Sequence, residues 1–116
     1  MQSLNYDVGG IFVAKNPCSD LSALKTRPVV IISPNNYNNL FEDVVLLGIT
    51  TKEKDSNISL KITNSELLDA SLKQNSYIRV DKPLQLSKEM LQYKITSLTP
   101  EALINLKQKI KEFYEL

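Results

Sequence analysis

The stretch at residues 76–82, Ser-Tyr-Ile-Arg-Val-Asp-Lys, constrains the fold of this 116-residue chain more than any other. Its alternation of apolar and polar residues predicts a β-strand, whose successive side chains point to opposite faces. The apolar residues, Ile78 and Val80, should therefore face a core. The polar residues should share the other face: Tyr77, Arg79 and Asp81. Such a polar row either binds an anion and moves a proton, or is a solvated face with a weak ion pair.

Two continuous apolar runs, at residues 29–32 and 44–49, predict strands that are buried on both faces. Pro28 fits the first position of the first strand, where no ladder donor is needed. That position places Arg27 at the mouth of a rigid buried strand. Thr50 follows the second run and offers a hydroxyl at the exit of that strand.

Glycines mark positions where the backbone is expected to be irregular. Gly9 and Gly10 predict a turn before a strand at residues 11–15, and Gly48 indicates a bulge in the second buried strand. Residues 16–26 form a long polar loop. A functional loop and a plain hairpin connection are equally compatible with that length.

The rest of the chain predicts shorter elements and one clear helix. Alternation favours a half-buried strand at residues 57–62 and a last short strand at residues 93–96, while Pro83 either stops the strand at residues 76–82 or places it at an edge. Short helical turns are expected at residues 33–39, 64–68 and 87–91.

The C-terminal segment predicts a helix with Thr99 as N-cap and Pro100 at the first helical position. Its apolar residues recur at helical spacing, so one face should pack on a core: Leu103, Leu106, Ile110 and Phe113. Several short strands followed by one helix indicate a mainly β chain that forms a small barrel, with the helix packed on it.

Composition excludes several classes of function. The formal net charge of +1 gives no overall positive electrostatic field of the kind that indicates a nucleic-acid partner. Histidine is absent and Cys18 is the only cysteine, so neither a disulfide within the chain nor a zinc site is expected, and no cofactor is implied. Residues 1–10 are polar and no apolar run approaches the roughly 20 residues of a membrane span, so we expect a cytoplasmic protein.

Several of these segments, in their order along the chain, resemble one known family. Five segments are similar to the corresponding parts of MazF/PemK/Kid-type toxins. They are Val-Gly-Gly-Ile at residues 8–11, Arg-Pro-Val-Val-Ile-Ile-Ser at 27–33, Val-Val-Leu-Leu-Gly-Ile-Thr at 44–50, the predicted strand at 76–82 and Leu-Thr-Pro-Glu at 98–101. The resemblance covers nearly the whole chain. It implies a single toxin domain over residues 1–116, with an SH3-like barrel and a C-terminal helix of the CcdB/PemK type.

The same resemblance implies a function. Members are toxins of type II toxin-antitoxin systems that act as mRNA interferases: metal-independent, sequence-specific endoribonucleases on single-stranded RNA, usually homodimeric and inhibited by a cognate acidic antitoxin. By resemblance, Arg27 contacts the scissile phosphate and Thr50 lies beside it. Arg79 and Asp81 match an Arg-x-Asp pair proposed as acid and base. The residues expected to bind RNA are Lys25, Tyr77 and Lys82, although Tyr77 is equally a residue type that packs on a surface or at an interface.

The sequence departs from the family pattern at four positions. Gly10 stands where Asp is common, Ser22 lies near an expected Glu, and Lys82 and Leu84 replace a frequent Gln and Arg. Two alternatives therefore stay open: a non-catalytic interaction module, and a gyrase-poisoning toxin typified by CcdB. The gyrase branch carries a Trp-Gly-Ile ending, whereas this chain has no tryptophan.

Overall fold

The computed structural model describes residues 5–15, 26–69 and 74–116. Most of these residues lie in one antiparallel sheet and its two helices. The elements in chain order are β1 (Gly10–Lys15), β2 (Thr26–Ile31), α1 (Asn35–Leu40), β3 (Asp43–Thr50), β4 (Ser59–Ile62), a 3₁₀ turn (Asn64–Glu66), β5 (Ser76–Ser87), a 3₁₀ turn (Lys88–Met90), β6 (Leu91–Ser97) and α2 (Pro100–Tyr114).

The six strands form one sheet in the order β4-β5-β3-β2-β1-β6, with every neighbouring pair antiparallel. The two ends of the sheet meet through the segment that follows β4. Leu67 forms a bridge with Leu98, and the backbone N–H of Leu68 donates to the carbonyl of Ser97 at 3.0 Å. The sheet thus curls as in a small barrel without closing strand to strand, which confirms the predicted mainly β fold with a C-terminal helix.

Each face of the sheet has its own core. The first core cluster lies between the sheet and α2, and it contains Ile78, Val80 and Leu106, all fully buried. The second core cluster covers the opposite face and includes Phe12, whose ring stacks on that of Tyr6 with centroids 5.4 Å apart. The predicted core positions of Ile78 and Val80 are therefore confirmed.

The packing around Phe12 explains why glycine occupies position 10. A Cβ atom added to Gly10 would lie 3.0 Å from a ring carbon of Phe12 and 3.0 Å from the carbonyl oxygen of Asp7. Neither neighbour can move easily, because the Phe12 ring is fully buried and the Asp7 carbonyl accepts a hydrogen bond from the Gly10 N–H at 2.9 Å. A larger residue at position 10 would therefore disturb the second core cluster.

Helix α2 begins as predicted. The hydroxyl of Thr99 accepts a hydrogen bond from the Ala102 N–H at 3.1 Å, and Pro100 is the first helical residue. Leu103, Leu106 and Ile110 pack on the first core cluster. Phe113, the last residue of the predicted apolar stripe, is exposed over 36% of its surface and packs edge-on against the ring of Tyr114, so the prediction that it faces a core is wrong.

The prediction for Pro28 needs correction, and of the two alternatives for Pro83 only the edge position is confirmed. Pro28 is the third residue of β2 and pairs with Val13, so it does not open the strand. Pro83 does not end β5, which continues to Ser87. The edge alternative holds for Pro83, because it pairs with Leu47 of β3 while β4 pairs only with residues 76–79 of β5. A proline is tolerated on the side of a strand where no ladder donor is required.

The other predicted strands and turns are confirmed, with bounds that differ by a few residues. The loop at residues 16–26, with Cys18 and Ser22, lies outside the described residues except for Thr26. In the part of the chain that the structure describes, no helix combines the length and apolar character needed to cross a bilayer.

Candidate active site on strands β3 and β5

Arg79 and Asp81 form a bidentate ion pair on β5, which we call the Arg79–Asp81 clamp. The guanidinium donates from Nε to Oδ1 at 2.8 Å and from an Nη to Oδ2 at 2.6 Å. It is the one salt bridge among the described residues, and the two side chains keep 18% and 20% of their surface exposed. Parallel charged hydrogen bonds of this kind fix the plane of the guanidinium as well as its position.

The clamp keeps both partners ionised. The hydrogen bonds from the Arg79 guanidinium hold the pKa of the Asp81 carboxyl below its usual value, and they raise the pKa of Arg79 in turn. A carboxyl with a lowered pKa stabilises the fold above its unfolded pKa of about 3.9, and this contribution is lost as the pH falls through the lowered folded value. At neutral pH the paired Asp81 is a weak proton acceptor.

A large bulge in β5 presents the clamp. Ile78 pairs with Ile49, and the next paired residue of β5, Pro83, is opposite Leu47. Residues 79–82 of β5 therefore lie opposite Gly48 alone. Bulges of this kind redirect side chains and are frequent next to active sites. The predicted irregularity at Gly48 is confirmed, but the extra residues of the bulge belong to β5 and not to β3.

The bulge also reverses which face the later side chains of β5 occupy. Ile78 and Val80 belong to the first core cluster, whereas Leu84 and Leu86 pack against the second. In a regular strand, residues two, four and six apart share one face. The clamp thus lies where β5 changes from one core to the other.

The surface beside the clamp is open at Gly48. A Cβ atom added there would meet no heavy atom within 4 Å. Gly48 pairs with Val29 on β2 and lies opposite the bulge of β5. A ligand can therefore approach the sheet closely at this point.

Three of the other predicted site residues lie on neighbouring strands of the sheet, and two of them are paired. Thr50 pairs with Tyr77, so their side chains lie on the same face. Arg27 lies on β2, the strand next to β3, two residues before Val29, which pairs with Gly48. Arg27 is exposed and makes no ion pair among the described residues.

The remaining two predicted site residues contribute less to the geometry. Lys82 is exposed at the end of the bulge. Lys25 lies outside the described residues. The structure therefore brings four of the predicted residues together on β3 and β5, namely Thr50, Tyr77, Arg79 and Asp81, and it places Arg27 on the adjacent strand β2.

A groove of about 340 Å³ adjoins the clamp, because one of its lining residues, Ser59, pairs with Arg79. The sequence analysis did not identify this groove. The alternating polar residues of the run at 57–62 were the available signal, since they had to share a face with the polar side of β5. The lining residues are Glu53, Lys54, Asp55, Ser56, Ser59, Lys61 and Tyr77.

Two contacts from α2 to this region were also missed by the sequence analysis. The Tyr114 hydroxyl donates to the carbonyl of Val80 at 2.7 Å, and the Lys109 ammonium donates to the carbonyl of Ser56 at 2.9 Å. The spacing of four residues between Ile110 and Tyr114 was a usable signal, because such residues lie on one helix face. Among the described residues, no three His, Cys, Asp or Glu side chains are grouped as metal ligands.

Comparisons with solved structures identify the fold. An endoribonuclease from Mycobacterial species superposes with a TM-score of 0.76 at 20% identity, covering 99% of this chain and 97% of that chain. An endoribonuclease in complex with its cognate antitoxin, from Mycobacterial species, gives 0.74 at 21%, covering 97% of each chain. The MazE-MazF complex (Form-III) from Deinococcus radiodurans gives 0.74 at 14%, covering 95% of this chain and 96% of that chain.

Sequence comparisons give the family. A search of curated proteins finds no match. The family profile described as "PemK-like, MazF-like toxin of type II toxin-antitoxin system" matches residues 8–114, which include every strand, both helices and the clamp. The chain therefore belongs to the PemK-like, MazF-like toxins of type II toxin-antitoxin systems.

Proposed function

We propose that this toxin is an endoribonuclease that cuts single-stranded mRNA in the cytoplasm without a metal ion. The observation that carries the proposal is the Arg79–Asp81 clamp, held on a bulge beside an open surface. Family membership and the endoribonuclease relatives of the same fold support it. Because RNA carries its own nucleophile, the 2′-OH next to each phosphate, the protein needs to supply only positioning and charge.

In this proposal the 2′-oxygen attacks the adjacent phosphorus while the bond from phosphorus to the 5′-oxygen breaks. Negative charge grows on the phosphate oxygens in the transition state, where fixed cationic donors have their largest effect. Arg79 has five N–H donors and uses only two on Asp81, so others remain for the phosphate. Arg27, on the strand next to β3, supplies a second cation.

Thr50 and Asp81 have supporting roles in this mechanism. The hydroxyl oxygen of Thr50 accepts a hydrogen bond from the Lys52 N–H at 3.2 Å, so its proton can be donated to a phosphate oxygen. We assign Asp81 the orientation of Arg79, because its lowered pKa makes the paired carboxylate a weak base. Solvent hydroxide entering beside Gly48 takes the proton from the 2′-oxygen, and the water so formed returns one to the departing 5′-oxygen.

The RNA-binding residues extend the site along the sheet. Tyr77 lines the groove next to the clamp and can stack on an unpaired base, the usual way in which proteins hold single-stranded RNA. Lys82 and Lys25 are proposed to contact the backbone phosphates. Double-stranded RNA hides its base faces, so this arrangement favours single strands.

Incubation of the purified toxin with a panel of single-stranded RNAs in excess EDTA tests the proposal. We expect cleavage with a 2′,3′-cyclic phosphate on one fragment and a 5′-hydroxyl on the other, and no cleavage of the same sequences as duplexes. A matched DNA panel, which lacks the 2′-OH, should stay intact. Uncut RNA across the whole panel would contradict the proposal, and cleavage only after metal addition would contradict the mechanism.

We also propose that the toxin is a homodimer inhibited by an acidic antitoxin segment. MazF relatives of this fold occur in complexes with MazE, and the mycobacterial endoribonuclease occurs with its cognate antitoxin. The carboxylates of such a segment would replace RNA phosphates at Arg27 and Arg79, because carboxylates and phosphates both accept hydrogen bonds from guanidinium groups.

Light scattering after gel filtration tests both partner proposals. The free toxin should elute with twice the mass of one chain, and an acidic peptide from the antitoxin should add mass at low salt and lose affinity as salt rises. The bound peptide should also protect RNA from cleavage. A monomer at micromolar concentration would contradict the proposed dimer. Peptide binding that neither weakens with salt nor competes with RNA would contradict the proposal that the peptide binds at Arg27 and Arg79.

A further inference from the structure

The carbonyl of Val80 lacks the partner that a regular sheet would give it. The Val80 N–H donates to the carbonyl of Ile58 at 3.0 Å, as expected for a residue opposite Val80 in an antiparallel pair. In such a pair the second hydrogen bond would run from the Ile58 N–H back to Val80. The Ile58 N–H instead donates to the carbonyl of Asp55 at 3.1 Å and closes the turn before β4.

Tyr114 replaces the missing donor. Its hydroxyl lies 2.7 Å from the Val80 carbonyl oxygen and reaches it from the last turn of α2. A partly buried carbonyl requires such a partner, because an unpaired one loses its hydrogen bonds to water. The pKa of the Tyr114 hydroxyl is raised, first by burial and then by the negative charge of Asp81, which places the phenol in the field of that carboxylate.

Helix α2 is held firmly enough for this contact to be precise. Leu106 is fully buried against the sheet, and Ile110 packs on the same core cluster. The Lys109 ammonium donates a hydrogen bond to the carbonyl of Ser56. Ser56 lies in the turn whose Asp55 carbonyl accepts from the Ile58 N–H, the donor that Val80 would otherwise have. The helix therefore contacts both the turn that removes the normal donor and the carbonyl that loses it.

We propose that Tyr114 is a positioning residue for the Arg79–Asp81 clamp, acting through its hydrogen bond to the carbonyl of Val80. Val80 lies between the two clamp residues, and its carbonyl shares a rigid peptide plane with the N–H of Asp81. Rotation of that plane would move Asp81 relative to Arg79. The part of the inference that concerns RNA cleavage rests on the proposed function.

Tyr114→Phe removes only the hydroxyl and tests this role. The matched control is Tyr37→Phe, whose hydroxyl accepts a hydrogen bond from the Gln85 side chain at 3.2 Å and touches neither clamp residue. We expect Tyr114→Phe to lower kcat for RNA cleavage roughly 10- to 100-fold, the range for a misplaced catalytic group, with KM little changed. Tyr37→Phe should keep wild-type kcat, and thermal unfolding should show both variants folded.

The Asp81 carboxyl provides a readout that needs no RNA. Its pKa, followed by carbon NMR, should rise toward the ordinary value in Tyr114→Phe, because a loosened clamp weakens the hydrogen bonds from Arg79, and should stay unchanged in Tyr37→Phe. An unchanged Asp81 pKa in Tyr114→Phe would overturn the inference, even if activity fell together with stability. If the wild-type toxin cut no RNA while the Asp81 pKa still rose in the variant, the proposed function would fail and the positioning role would stand.

Discussion

Arg79→Ala should lower the rate of RNA cleavage about a hundred- to thousandfold, equivalent to roughly 2.7–4 kcal/mol of transition-state stabilisation. The reason is that Arg79 is the fixed cationic donor of the site, aligned by two hydrogen bonds from its guanidinium to Asp81. The loss should appear mainly in kcat, because the charge that Arg79 stabilises grows in the transition state. Single-turnover cleavage of one RNA oligonucleotide measures it directly.

Three further variants make this result specific. Arg79→Lys should recover little activity, since an ammonium cannot reproduce the planar two-donor contact. Arg27→Ala should be nearly as damaging as Arg79→Ala, and Asp81→Asn should keep a fraction of the activity if Asp81 orients Arg79. Complete loss in Asp81→Asn would instead make Asp81 the base. Wild-type cleavage by both Arg→Ala variants, with unchanged melting temperatures, would remove the site assignment.

Phe12→Ala should be the most destabilising single change outside the site, by about 3–5 kcal/mol, the usual range for truncating a buried phenylalanine. Phe12 is fully buried in the second core cluster, stacks on Tyr6, and lies within van der Waals reach of Gly10. Since small domains are stable by only about 5–15 kcal/mol, much of the protein would unfold at moderate urea concentrations. Urea denaturation followed by circular dichroism measures the change.

Phe41→Ala is the matched control for that experiment. Phe41 has 53% of its surface exposed and contacts the ring of Tyr37, with centroids 4.8 Å apart. Its truncation should cost less than about 1 kcal/mol, as for most surface substitutions. Equal effects of the two truncations would contradict the assignment of Phe12 to a tightly packed core.

The sequence predicted the fold where local patterns coincide with burial. The alternation of residues 76–82 predicted that Ile78 and Val80 lie in a core, and the cap at Thr99 predicted the start of α2; both are confirmed. These features depend on neighbours along the chain, so periodicity and side-chain chemistry report them. The proximity of Arg79 to Asp81 followed from the same alternation.

The bulge could not be predicted from the sequence, because it depends on how β5 pairs with a distant strand. Gly48 indicated an irregularity, but nothing local revealed that several residues of β5 would lie opposite it. The contact of Tyr114 with Val80 likewise joins residues 34 positions apart. Pro83 left two alternatives open for the same reason, because whether a strand can continue through a proline depends on which of its sides is paired.

Side chains of β5 pack on one core cluster before residues 79–82 and on the other after them. The length of this segment is therefore more constrained than its amino-acid composition. Substitutions there change charges at the site but leave the pairing of Ile78 and Pro83 with β3 intact. Deleting one residue would shift the rest of the strand by one position and turn Leu84 and Leu86 away from the second core cluster. Chains that share this fold should therefore tolerate many residue types in this segment, while insertions and deletions there should be rejected at the level of folding.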